Sequence, residues 1–353
     1  MNSLFCGIDF HKNTCTVCIV DQNGTESEIF TCKTSNMIKR LVNYKNLTIA
    51  VEASGGVNDF VDRVKASGHK VKMVDPKAFR LVGMGGKKTD KRDARAIARG
   101  LVAGFIPEVH HKSKRSREIK SLLVSRELAV NTRVNIFNHV RGILREYGIT
   151  ITKGKEAFLE EAVERINKIE NGFIRASLFD MYKMGKEMLE REKEIEQRLQ
   201  DFCSSDENIK RLQTIPGVGF LSALAFVSIV DDVGRFKNGK LFGSYVGLVP
   251  SESSSADKRI MGRITRSGPE LLRRYLIHGA RSVIMHLKED KEITDQNKCW
   301  ALKLKNRVGM NKATVALAHR MARIGYCLLR DQTSYGQVKS SIAITSKNVN
   351  QAA

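Results

Sequence analysis

Asp90 and Asp93 lie in the run Lys87-Lys88-Thr89-Asp90-Lys91-Arg92-Asp93-Ala94-Arg95-Ala96-Ile97-Ala98-Arg99, whose apolar spacing reads as an amphipathic helix. Residues three apart on a helix are neighbours, so both carboxylates project from one face. Around them stand the cations Lys87, Lys88, Lys91, Arg92, Arg95 and Arg99. Two further acids close apolar runs upstream: Asp9 follows Leu4-Phe5-Cys6-Gly7-Ile8, and Glu52 follows Leu47-Thr48-Ile49-Ala50-Val51. A carboxylate at the end of a buried strand is costly unless it is paired or bound to metal. Four of them converging from two strands and a helix would make a divalent-metal site suited to phosphodiester chemistry. His11 follows the Asp9 strand and could approach such a metal, but its position at a strand end reads as surface.

A second set of candidates lies downstream. Residues 239–268 are polar, rich in Gly and Ser, and basic, and are expected to form a flexible loop. Ser251, Ser253, Ser254 and Ser255 there precede Lys258, Arg259, Arg263 and Arg266. A hydroxyl could attack phosphorus in such a loop while the cations stabilise the developing charge. The helix expected over 269–285 adds Arg273, Arg274 and Arg281, which could lie along a phosphate backbone. Between Ser251 and Arg330 there are 17 Lys and Arg against 7 Asp and Glu, a polyanion surface by count. Upstream, Ile215-Pro216-Gly217-Val218-Gly219 stops one helix and starts another, presenting backbone N–H groups to a phosphate. That is the helix-hairpin-helix pattern, which grips nucleic-acid backbone without reading bases. Gly217 and Gly219 therefore join Lys88, Lys91 and Arg92 as expected nucleic-acid contacts.

The elements that must position these residues differ along the chain. Alternating patterns predict strands over 4–9, 14–20, 28–33, 47–52 and 70–74, with helices over 37–44 and 57–66 and the acid-bearing helix running to about residue 102. From 113 to 202 apolar residues recur at helical spacing. Leu123, Val130, Phe137 and Leu144 are seven apart, as are Met181, Met188, Ile195 and Phe202, with Val134, Val140, Met184 and Leu199 between. The pattern predicts a long helical hairpin or coiled coil, a spacer or a dimerising element. The last residues, 333–353, are polar and expected to be disordered.

Composition narrows the partners. In 353 residues, 60 Lys and Arg outnumber 38 Asp and Glu, a net charge of +22 that favours a polyanion. The most apolar run, 221–230, is too short to span a membrane, and no signal peptide is visible. Seven scattered Cys suit reduced thiols in a cytoplasmic setting. Cys15 and Cys18 have the CxxC spacing, but in a strand they face opposite sides.

The element order βββαβαβα, with acids on the first and fourth strands and the last helix, resembles the ribonuclease-H-like fold in its RuvC-like version. Five motifs extend the resemblance: Gly7-Ile8-Asp9-Phe10-His11-Lys12, Val51-Glu52-Ala53-Ser54-Gly55, Lys88-Thr89-Asp90-Lys91-Arg92-Asp93-Ala94, Ile215-Pro216-Gly217-Val218-Gly219, and Gly247-Leu248-Val249-Pro250 followed by the serines to Ser255. In this order they resemble the insertion-sequence transposases of the IS-one-ten type, relatives of the Piv/MooV DNA invertases. The resemblance covers residues 4–329.

It implies an α/β N-terminal domain (1–112), a helical coiled-coil linker (113–205) and a mainly helical transposase domain with a helix-hairpin-helix (206–332). It further implies that Asp9, Glu52, Asp90 and Asp93 bind Mg²⁺ or Mn²⁺ and that a serine forms a covalent phosphoserine with DNA. Counted from Pro250 that serine falls at Ser255, with Ser253 and Ser254 beside it and Ala256 where relatives carry Gly. The implied partners are target and donor DNA, a structured noncoding guide RNA, and further copies of the chain as a dimer and tetramer, at the nucleoid of a prokaryotic cytoplasm. A Piv-type invertase or a metal-only RuvC-like nuclease or junction resolvase are the alternatives.

Overall fold

The computed structural model describes residues 3–44, 47–82, 89–255, 258–288 and 293–337. Lys88, Ala256 and most of the expected tail lie outside them. The chain divides into two compact units, Met1–Lys112 and Ser113–Ala353.

The first unit is a six-stranded sheet with helices on both faces. Its elements run β1 (Leu4–Phe10), β2 (Thr14–Val20), β3 (Glu26–Lys33), α1 (Thr34–Leu41), β4 (Leu47–Glu52), α2 (Val57–Ala66), β5 (Lys70–Val74), α3 (Pro76–Val82), α4 (Asp90–Val102) and β6 (Glu108–Val109). The strand order is β3-β2-β1-β4-β5-β6. β1 pairs antiparallel with β2 and parallel with β4, and β4 pairs parallel with β5. The two-residue β6 has too little pattern to be read from sequence.

Period-two alternation decides which face each β1 residue meets. Cys6, Ile8 and Phe10 join Met37, Leu41, Phe60 and Val64 of α1 and α2 in one core layer. Gly7 and Asp9 face the other way, toward α4. Gly7 matters most here, because a Cβ on it would stand 2.2 Å from the Ala94 carbonyl oxygen and 2.4 Å from the Ala98 nitrogen. With hydrogen in that place, α4 lies backbone to backbone on β1. Arg95 fastens the outer side, its Nε 2.6 Å and Nη2 3.2 Å from the Glu26 carboxylate oxygens. That bond holds the Glu26 carboxyl below its usual range. Cys15 and Cys18 belong to cores on opposite faces. Burial pushes the Cys18 thiol up to about 11, so it stays protonated.

Among its described residues the second unit is helical apart from one hairpin. It comprises α5 (Lys114–Glu146), α6 (Lys155–Asn167), α7 (Gly172–Cys203), α8 (Glu207–Gln213), α9 (Phe220–Val230), α10 (Gly239–Val246), β7 (Pro250–Ser255), β8 (Lys258–Ile264), α11 (Glu270–Met285), α12 (Gln296–Val308) and α13 (Met310–Asp331). The apolar run of α9 is a core helix, with Phe226 against Phe242 and Gly325. No helix among the described residues is long and apolar enough to cross a membrane.

α5 and α7 form an antiparallel hairpin within one chain. At its base Ile119, Leu123, Leu199 and Cys203 join the main core; at its far end Phe137 stacks on Phe158 of α6 at 3.9 Å between centroids. The buried seam of α7 is Leu178, Gly185, Leu189, Leu199 and Cys203. On α5 the stripe read from sequence is buried at Leu123, Phe137, Val140 and Leu144, with Val134 40% exposed. On α7 it runs beside the seam: Leu199 is buried and Met181, Met188 and Ile195 are half-buried, but Met184 is 48% exposed and Phe202 40%. The reason is charge inside the seam. Glu192 accepts from Arg126 at 3.0 Å and from Arg133 at 3.1 Å, and Arg126 also bonds Glu196. An apolar count skips these positions and, on α7, settles beside the seam.

Candidate active site

Asp9 lies one residue before the end of β1, its side chain 11% exposed. The parallel register Ile8↔Val51 puts Glu52, the last residue of β4, at the same end of the sheet. α4 begins there. Thr89 caps it by accepting from the Arg92 N–H, and Asp90 and Asp93 occupy the first turn, where the helix dipole favours negative charge. Because Gly7 lets α4 touch β1, those two acids come over Asp9. Desolvation raises the Asp9 carboxyl above its usual value; His11 opposes this, and Asp90 and Asp93 add to it.

His11 completes the group. Its Nε2 is 3.3 Å from Asp9 Oδ2 and 3.9 Å from Asp90 Oδ1, and one donor atom each from Asp9, His11 and Asp90 lie within 4.8 Å of one another. The surface position expected of His11 is half right: the ring is 53% exposed but turned onto the carboxylates. A buried carboxylate held near like charges at a strand end is what a divalent cation neutralises, so the donor set fits one. Glu52 and Asp93 are half-buried at the same end, and Lys91 and Arg92 are exposed beside Asp90.

The serine segment departs from expectation in form. Instead of a flexible loop it makes the hairpin of β7 and β8, with Ser253 opposite Ile260, Ser254 opposite Arg259 and Ser255 opposite Lys258. Ser255 thus ends its strand beside the tip. Ser251 ties the root by donating to the Arg263 carbonyl at 3.0 Å. Ser251, Ser253, Ile260, Met261 and Arg263 are all exposed, so the ribbon shows both faces to solvent. At its foot opens a cavity of about 1290 Å³, floored by Leu248, Ile277 and Val315 and edged by Arg263, Arg266 and Lys312. Arg266 has φ +53°, a left-handed backbone unusual for a side-chain-bearing residue.

Several expected contacts have other partners. Arg273 is buried, not on a surface: its Nη1 donates to the carbonyls of Val246 and Ser267, both at 3.0 Å, and ties α10 and the hairpin's exit to α11. Arg274 is ion-paired with Glu127 of α5. Arg281 donates to Asn311. Gly217, at φ +87°, faces α11, where a Cβ would meet the Gly279 carbonyl at 2.7 Å, so it serves packing. Gly219 is exposed and caps α9 without a side chain, leaving the helix N-terminus open. The cavity also includes His278, Asn311 and His319, which no sequence pattern marked. Burial and Arg323 hold the His319 imidazole below its usual value.

Residues 6–149 match the family described as "Transposase" under the name DEDD_Tnp_IS110, and residues 209–295 match "Transposase IS116/IS110/IS902 family". The first match holds all four acids and the second the serine hairpin. The chain is 30% identical to the transposase for insertion sequence element IS1111A of Coxiella burnetii over 93% of this chain and 90% of the relative. The chain belongs to the IS110 transposase family. Within that family it is also 30% identical to a probable family 20 transposase of Pseudomonas aeruginosa, over 81% of this chain and 85% of that one. A pilin gene-inverting protein of Moraxella lacunata is 24% identical over 72% of this chain and 74% of its own length. As an IS110-family transposase the chain is a DNA-recombining enzyme, and the DEDD type points to divalent metal use.

Proposed function

We propose that this transposase cuts and rejoins DNA through a covalent phosphoserine at Ser255, with a divalent cation, Mg²⁺ or Mn²⁺, held by Asp9, Glu52, Asp90 and Asp93 on a RuvC-like domain. The observation that carries the reading is the meeting of Asp9 from β1 with Asp90 from α4, in a chain whose family matches span both the acids and the hydroxyls. The Ser255 oxygen forms a bond to phosphorus, the bond from phosphorus to the leaving strand oxygen breaks, and that oxygen leaves with a proton. One ester replaces another, so religation needs no nucleotide triphosphate. A bound cation offsets the negative charge that builds on the phosphate oxygens.

The chain's own cations do the rest. Lys258, Arg259, Arg263 and Arg266 supply charge around the hairpin, while Lys88, Lys91, Arg92 and the open N-terminus of α9 at Gly219 hold phosphates outside it. A structured guide RNA and assembly into dimers and tetramers complete the reading; the net charge of +22 suits simultaneous RNA and DNA.

The test is a denaturing gel of protein, Mg²⁺, labelled DNA carrying the element junction and target, and RNA from the element's flank. A protein–DNA adduct is expected, absent in Ser255→Ala and in Asp90→Asn. Cleavage without an adduct, indifferent to Ser255, would leave a metal-only nuclease. Similarity to the pilin gene-inverting protein favours a second reading as an invertase, decided by whether the product is inverted or inserted.

A further inference from the structure

We infer that His11 is a ligand of the catalytic cation, so that the site offers an imidazole nitrogen among its carboxylate oxygens. This rests on the reading that the carboxylates bind a divalent cation.

The geometry fits a donor. Ligand atoms at adjacent corners of an octahedral ion with bonds of about 2.1 Å stand on the order of 3 Å apart. His11 Nε2 stands 3.3 Å from an oxygen of Asp9 and 3.9 Å from one of Asp90, two acids on different elements. A small contraction around an ion brings all three into its shell. The ring edge meets carboxylates from two different elements, which one ion's shell would join.

The main chain presents the ring independently of what the ring does. His11 begins the turn from β1 to β2, its N–H donating to the Thr14 carbonyl at 3.0 Å and its carbonyl accepting from the Thr34 hydroxyl at 2.9 Å. Both bonds are made by backbone atoms, so the side chain can be removed without loosening the turn. A ring half exposed at the rim can also meet an ion that arrives with nucleic acid.

An imidazole donor has a chemical signature. All-oxygen shells suit Mg²⁺, whereas a nitrogen in the shell raises preference for transition ions, Mn²⁺ among them. The site is then selective for Mn²⁺ over Mg²⁺ to a degree that His11 sets.

The experiment is pulsed electron paramagnetic resonance on the full-length protein loaded with Mn²⁺, alongside Mn²⁺ and Mg²⁺ titrations. Wild type is expected to show a directly coordinated ¹⁴N. The coupling should change to the ¹⁵N pattern when histidine is labelled, a readout that requires no variant. In His11→Ala the nitrogen coupling should vanish, and Mn²⁺ affinity should fall about tenfold while Mg²⁺ affinity moves less, on the scale seen when a metal site loses a supporting partner. Mn²⁺ bound by wild type without nitrogen coupling would overturn the inference and leave His11 as an ion-pair partner. Asp9→Asn separates the two claims. If Mn²⁺ binding is indifferent to that change, the carboxylate site itself fails, and this assignment with it.

Discussion

The acid-bearing sheet and the serine hairpin hold their polar side chains in opposite ways. Asp9 stands between the buried Ile8 and Phe10 on a central strand, and α4 is seated on that strand without side chains between them. The hairpin of β7 and β8 has two strands and solvent on both faces. A two-stranded ribbon alone is at best marginally stable in water. The acid cluster is therefore preorganised by the fold, whereas the serine ribbon has little besides its root to hold it. On the proposed mechanism, catalysis would wait on whatever orders the ribbon.

The largest break in that contrast comes from Gly7→Ala. Its new Cβ meets backbone atoms of α4, which cannot rotate away, so the sheet unit should lose about 3 kcal/mol or more, read by calorimetry, and metal binding should go with it. Next is Arg273→Met at the hairpin's root. With the carbonyls of Val246 and Ser267 left unpaired, denaturant unfolding should show a loss of about 1–3 kcal/mol. Arg263→Ala should instead spare stability and lower the salt slope of DNA binding by about one.

Asp9→Asn should act with the opposite sign on stability. The folded state holds the Asp9 proton more tightly than the unfolded chain does, so its contribution is present at low pH and lost as pH rises through the carboxylate range. In chelator at neutral pH the Asn variant should melt a few degrees higher than wild type, and the difference should vanish in acid. Smallest of all is the double change Ile260→Ser with Met261→Ser. Melting should shift by under about 0.5 kcal/mol, the range of a free surface, while DNA affinity falls. A larger loss would mean the ribbon is packed, and the contrast would fail.

How far the sequence reaches follows the same divide. β4, α2 and β5 are readable to the residue, β4 as a short apolar run buried on both faces and α2 and β5 as a buried face with a polar remainder. The convergence of Asp9 and Asp90 is readable only through the resemblance to the RuvC-like fold, since periodicity places each acid on its element but does not bring the elements together. The hairpin is not, since a strand with no buried face has no alternation to detect, and its serines look like a linker. In α7 the period of seven is right and the phase is wrong, because Gly185 and Glu192 occupy the seam where an apolar search expects large side chains. Arg273 fails for a related reason: a buried arginine serving carbonyls looks, in sequence, like any basic residue.

The charges in the α5–α7 seam have a mechanical consequence. α5 is 33 residues long, a rod of roughly 50 Å at 1.5 Å per residue. Purely greasy helices of that length could slide by a heptad at small cost. Here sliding would carry Glu192 away from Arg126 and Arg133 and strand three charges among apolar neighbours. The arm is thus a ruler with one graduation, and the distance it spans is as much a property of the molecule as the chemistry at its base.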